Sequence, residues 1–109
     1  MTFIPDEDAE KALHWLVQNA KAIGEARREA VLAEHMVKRV KAIETKRSNE
    51  SSVAAREADA MTSEAMLAAI TADAEAAGKL ETLRGLRDAA GAKLDVWRTL
   101  RASERAMQK

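Results

Sequence analysis

Leu13, Leu16, Ala20, Ile23, Arg27 and Ala30 recur at spacings of three and four, and Met36, Val40 and Ile43 continue the apolar stripe somewhat displaced around the axis. Spacing of that kind lines up side chains along one side of an α-helix, and it predicts a long helix over about residues 6–45. Its start is marked by Pro5 followed by Asp6, Glu7 and Asp8. Proline tolerates the first helical turn, and carboxylates there oppose the positive end of the helix dipole. Gly24 weakens the run without ending it. At 1.5 Å per residue such a helix is about 60 Å long, a rod that needs another rod beside it.

The period is lost over Lys46-Arg47-Ser48-Asn49-Glu50-Ser51-Ser52, a stretch rich in side chains that bond their own backbone, which predicts a loop over 46–52. Ser52 is placed to cap a short helix over about 53–60. A break near Met61 and Thr62 follows, with Thr62 as the expected cap of a third helix and Glu64 in its first turn. From 63 to about 106 an apolar series runs through Leu67, Ile70, Ala74, Ala77, Leu80, Leu83, Ala90, Leu94 and Trp97, with Gly78, Gly85 and Gly91 tolerated inside it. The expected fold is all-α: two long helices with a short intervening helix, a helical hairpin or bundle assembled into a homo-oligomer, in a single domain spanning 1–109. If the long helices fold back on each other, Trp15 and Trp97 fall at similar heights.

Composition narrows the chemistry. Apolar residues make up 47% of the chain, but alanine supplies much of that, and the aromatics are Phe3, Trp15 and Trp97. Alanine favours helix more than it contributes burial, so a thick core is not expected. Without cysteine there is no disulfide, thiolate metal site or thiol nucleophile. Acidic Asp6, Glu7, Asp8 and Glu10 stand where an export signal would carry basic residues, and no apolar run reaches the length of a membrane span. The expected setting is therefore the cytoplasm, with no membrane partner.

No nucleophile elbow, phosphate-binding glycine loop or zinc signature occurs. Glu10 with His14, and Glu34 or His35 with neighbours one turn on, offer incomplete ligand sets, so the expectation is no metal, no cofactor and no enzyme activity. Asp88 and Asp95, among basic residues, read as ion-pair partners rather than an acid–base couple. The formal charge totals zero, yet residues 38–47 carry +4, 59–81 carry −4 and 84–109 carry +4. One basic cluster is Lys38, Arg39, Lys41, Lys46 and Arg47; the other is Arg84, Arg87, Lys93, Arg98, Arg101, Arg105 and Lys109. Such charges either form a solvated, salt-bridged helix face or bind phosphates, where repetition in an oligomer makes a modest patch into a continuous track. Both tryptophans sit at helical core spacing and are expected against protein rather than a base.

Leu94-Asp95-Val96-Trp97-Arg98-Thr99-Leu100-Arg101-Ala102-Ser103-Glu104-Arg105, together with the Ser52-Val53-Ala54-Ala55-Arg56-Glu57 helix start, resembles the UvsY-type recombination mediators of bacteriophages. The likeness extends over about residues 10–106, in the order long helix, basic loop region, short serine-started helix and long C-terminal helix. The resemblance implies a homo-oligomer in the bacterial host cell that binds single-stranded DNA, meets a recombinase and a single-strand-binding protein there, and helps the recombinase load. It implies DNA contact at Lys38, Lys41, Lys46 and Arg47, beside which Arg39 stands, and assembly along the last helix through Leu80, Leu83, Leu94, Trp97 and Leu100. The alternative reading is a helical adaptor or inhibitor that binds another protein and never touches nucleic acid.

Overall fold

The computed structural model describes residues 4–108, and among them the regular structure is entirely helical: α1 (Asp6–Arg47), α2 (Val53–Met61) and α3 (Glu64–Met107). At the start of α1, Pro5 O accepts from the Asp8 and Ala9 amides at 3.0 and 3.3 Å, and three carboxylates occupy the first turn. Lys46 and Arg47, assigned by sequence to the loop, stay in the last turn of α1, where cations favour the negative end of the helix dipole. Ser52 caps α2, accepting the Ala55 amide at 3.1 Å. The expected cap of α3 is displaced by one residue. Ser63 Oγ accepts the Met66 amide at 3.1 Å, while Thr62 closes α2 and donates its hydroxyl back to the Ala58 and Asp59 carbonyls.

The chain gathers into two compact units: Met1–Gly24 with Thr82–Lys109, and Glu25–Glu81. In the first unit, the start of α1 lies antiparallel to the second half of α3. Ala9 and Ala12 are its buried side chains, and Leu16, Asn19 and Ile23 continue their row half-buried. Leu83, Ala90, Leu94 and Trp97 form the matching row on α3. Asn19 satisfies its own amide by donating to Trp15 O at 2.9 Å. Trp15 shares a hollow with Lys11, Ala12, Leu86, Ala89, Ala90 and Lys93, whereas Trp97 reaches Asp6. The two indoles are thus about two turns apart, not at one height, because Trp15 lies opposite Ala90 rather than Trp97.

In the second unit, Ala26, Ala30, Ala33, Val37 and Val40 form the inward row of α1, and Met66, Ala69, Asp73, Ala76 and Leu80 that of α3. Ala60 of α2 is fully enclosed and Met66 is 2% exposed, so the α2–α3 turn closes over the end of this unit. Lys79 Nζ reaches Glu29 Oε2 across the two long helices at 3.2 Å.

Both inward rows alternate steps of three and four, the pattern of helices packed side by side along a seam. They share Leu16, Ile23, Ala30, Val40, Leu80, Leu83, Ala90, Leu94 and Trp97 with the stripe traced through the larger apolar residues, but not its other members. Leu13, Ala20, Arg27, Met36 and Ile43 of α1, and Leu67, Ile70, Ala74 and Ala77 of α3, are exposed instead. Alanines fill much of the seam because small side chains let two helices approach closely.

Candidate nucleic-acid interface at the end of α1

Lys38, Arg39, Lys41, Lys46 and Arg47 are all exposed, and all belong to the second unit. At 100° per residue, with Val37 and Val40 turned inward, Lys38, Arg39 and Lys46 fan over the outward side of α1, Lys41 lies beside the inward row, and Arg47 continues the Val40 side into the exposed last turn. His35 and Arg28 fall on the same outward side. A charge sum that starts at residue 38 misses them; the signal lay in the steps of seven from Arg28 to His35 and eleven from Arg28 to Arg39. Lys38, Arg39, Lys41 and Lys46 form no ion pair among the described residues.

Arg47 is placed differently. Its Nη1 lies 3.5 Å from Glu44 Oε1, and Glu50 and Asp59 line the same hollow. Carboxylates so close oppose a phosphate, so the basic surface is carried by the four residues before it. The following turn is held in place: Ser48 Oγ donates to Asp59 Oδ2 at 2.6 Å and accepts the Glu50 amide at 3.2 Å, and Arg56 Nε donates to Glu50 O at 2.7 Å. The end of α1 is therefore tied to α2 by hydrogen bonds that leave the lysines uninvolved.

The second basic cluster, on α3 in the first unit, is largely spoken for. Arg87 pairs with Asp88 at 3.2 Å and Arg98 with Asp95 at 3.4 Å. Arg101 pairs with Asp6 and also with Glu104 at 3.1 Å, and it lies over the Trp97 ring at 5.8 Å from the centroid. Trp97 Nε1 donates to Asp6 Oδ1 at 2.9 Å. The Arg101 hydrogen bond and then the indole N–H hold the Asp6 carboxyl below its ordinary 3.8, and the same carboxylate raises Arg101. This clasp joins residues at opposite ends of the sequence, and spacing along either helix gives no sign of it. Lys109 lies outside the described residues.

The side chains expected to mediate assembly face inward in the single chain to different degrees. Leu80 is 7% exposed. Leu94 and Trp97 line a hollow with Asp6, Ala9 and Leu13, and Leu83 and Leu100 are half-buried. Among the described residues, no three His, Asp or Glu side chains gather as a metal site, and no helix is long and apolar enough to cross a membrane. Compared with known proteins, the chain matches no family model, no curated protein and no solved structure.

Proposed function

We propose that this chain is an oligomeric single-stranded-DNA-binding accessory protein, a mediator that helps load a recombinase in phage-type homologous recombination. The observation that carries the DNA-binding part is the group Lys38, Arg39, Lys41 and Lys46, exposed at the end of one helix with no carboxylate paired to any of them among the described residues. Four uncommitted cations on a rigid support bind a phosphate backbone by releasing its counterions, without base preference. The mediator role rests on the sequence resemblance described above. Work of this kind needs no catalytic group, and the partners it implies are single-stranded DNA, further copies of the chain, a recombinase and a single-strand-binding protein.

Fluorescence anisotropy of a labelled oligonucleotide, titrated at two salt concentrations with light scattering on the same sample, tests this directly. Affinity should fall linearly with salt on logarithmic axes. Replacing Lys41 and Lys46 by Ala should reduce the slope by about 1.4, at about 0.7 for each single-strand phosphate no longer neutralised, with helicity unchanged. Unaltered binding by that variant removes the site, and absence of binding at low salt removes the DNA reading.

A second reading is favoured by a separate observation. Val31, Leu32, Met36, Val53, Met61 and Leu67 are large apolar side chains left 40–71% exposed in the second unit. Exposed apolar surface of this kind suits a protein partner. A helical adaptor or inhibitor would show saturable binding to that partner unaffected by competing single strands.

A further inference from the structure

The second unit is electrically divided between its two long helices. Its part of α1, residues 25–47, carries a net +3, whereas its part of α3, residues 64–81, carries −3. The Lys79–Glu29 pair between the two helices does not cancel this division, because it runs in the opposite sense.

The outward charges also have matching spacing. On the outward side of α1, Arg28 and Arg39 are eleven residues apart, which is about 16 Å and three full turns, so both point the same way. On the outward side of α3, Glu64 and Glu75 have the same separation and the same relation. All four are exposed, and none forms an ion pair among the described residues.

Between the charges lies apolar surface of complementary relief. Val31 and Leu32 stand between Arg28 and Arg39, 45% and 56% exposed. Leu67, 66% exposed, stands between Glu64 and Glu75 beside the small Ala68, Thr71 and Ala74. One face thus presents two projecting side chains, and the other a row of small ones beside Leu67.

We infer that a second copy of this chain docks here, the Arg28–Val31–Leu32–Arg39 face of α1 in one copy covering the Glu64–Leu67–Thr71–Glu75 face of α3 in the next. The inference rests on the proposed assembly into homo-oligomers. Because two different faces of the same unit meet, the contact is heterologous, and successive copies close into a ring or extend as a filament. The faces lie on the outward sides of the long helices, so the intrachain seam, including Leu80, stays intact on assembly. Arg39 then serves the contact between copies, leaving Lys38, Lys41 and Lys46 for phosphate. Equal charge spacing supplies register, and the exposed Val31, Leu32 and Leu67 supply the area that becomes dry.

Sedimentation velocity of the full chain without DNA tests the contact. Wild type should assemble at low salt and loosen as salt rises, since exposed ion pairs are screened. Glu64→Lys/Glu75→Lys and Arg28→Glu/Arg39→Glu should each weaken self-association at least about tenfold, because like charges brought together across an interface oppose it. An equimolar mixture of the two variants should regain assembly, since each supplies the face the other lacks. The mixture guards against misfolding, which no partner would repair. Variants that assemble like wild type, or a mixture that stays dissociated, overturn the docking surface alone. A wild-type chain that binds oligonucleotide yet stays monomeric ends both this contact and the homo-oligomer, and leaves the DNA reading standing.

Discussion

The two units carry basic clusters of equal net charge in the sequence, and the structure treats them differently. In the first unit, Arg87 and Arg98 meet carboxylates of α3 itself, and Arg101 meets Glu104 and the Asp6 carboxylate at the start of α1. In the second, Lys38, Arg39, Lys41 and Lys46 meet none among the described residues. Acids that would balance them, Glu64 and Glu75 among them, sit on α3 and remain exposed. A charge run therefore marks a binding surface only when its counter-charges are held elsewhere. Among the described residues the units also differ in what they bury: alanines alone in the first, and Met66 and Leu80 besides alanines in the second.

Core truncation is the strongest way to break that second contrast. Met66→Ala removes a side chain that is 2% exposed from a small core. Loss of a buried methionine side chain costs about 2–5 kcal/mol, to be read as a lowered denaturant midpoint. Val17→Ala in the first unit, where the side chain is 70% exposed, should stay within about 0.5 kcal/mol of wild type. Equal effects at the two positions would erase the difference in burial.

Much of this architecture was legible in the sequence. Pro5 with its acidic successors placed the start of α1, and Ser52 placed the start of α2, because both signals act within one turn. The seam was legible only in part, through Leu16, Ile23, Val40, Leu80, Leu83, Leu94 and Trp97, and the reason is physical. Large side chains dominate any hydrophobic reading, so Leu13, Leu67 and Ile70 drew the stripe, whereas close helix packing selects small ones such as Ala9, Ala12 and Ala26. Thr62 and Ser63 are adjacent hydroxyl residues with equal claims to cap α3, and only the backbone path distinguishes them. The basic cluster was legible as a cluster; its freedom from counter-charges was not, since that depends on which carboxylates fold against it.

A smaller effect sharpens the comparison from the side of the first unit. Gly85 lies in the interior of α3, and a Cβ built on it meets nothing within 4 Å. Alanine there removes the backbone entropy that glycine loses in a helix without adding a clash. Gly85→Ala should stabilise by about 0.8–1 kcal/mol, which for a domain of this size raises Tm by about 4–8 °C. The gain should also appear as slower amide exchange in the first unit. A fall in Tm would show that the position tolerates no methyl group.

The smallest effect concerns the clasp, whose groups are exposed and screened, so its signature is local. Asp6 has its carboxyl held below the ordinary 3.8, first by the Arg101 hydrogen bond and then by the Trp97 N–H. A carboxylate with a lowered folded value contributes its stabilisation above the unfolded value and loses it as pH falls through the folded one. In a Trp15→Phe background, where Trp97 alone reports, indole emission should therefore change in a step whose midpoint lies below 3.8. Asp6→Asn leaves an acceptor for the indole but no charge for Arg101, so emission should start displaced and show no step in that acidic range. Arg101→Lys keeps the positive charge while losing the planar group above the ring, and should shift the step upward without abolishing it. If wild type and Asp6→Asn gave the same titration, the clasp would not persist in solution, and Arg101 would lose its partner on α1.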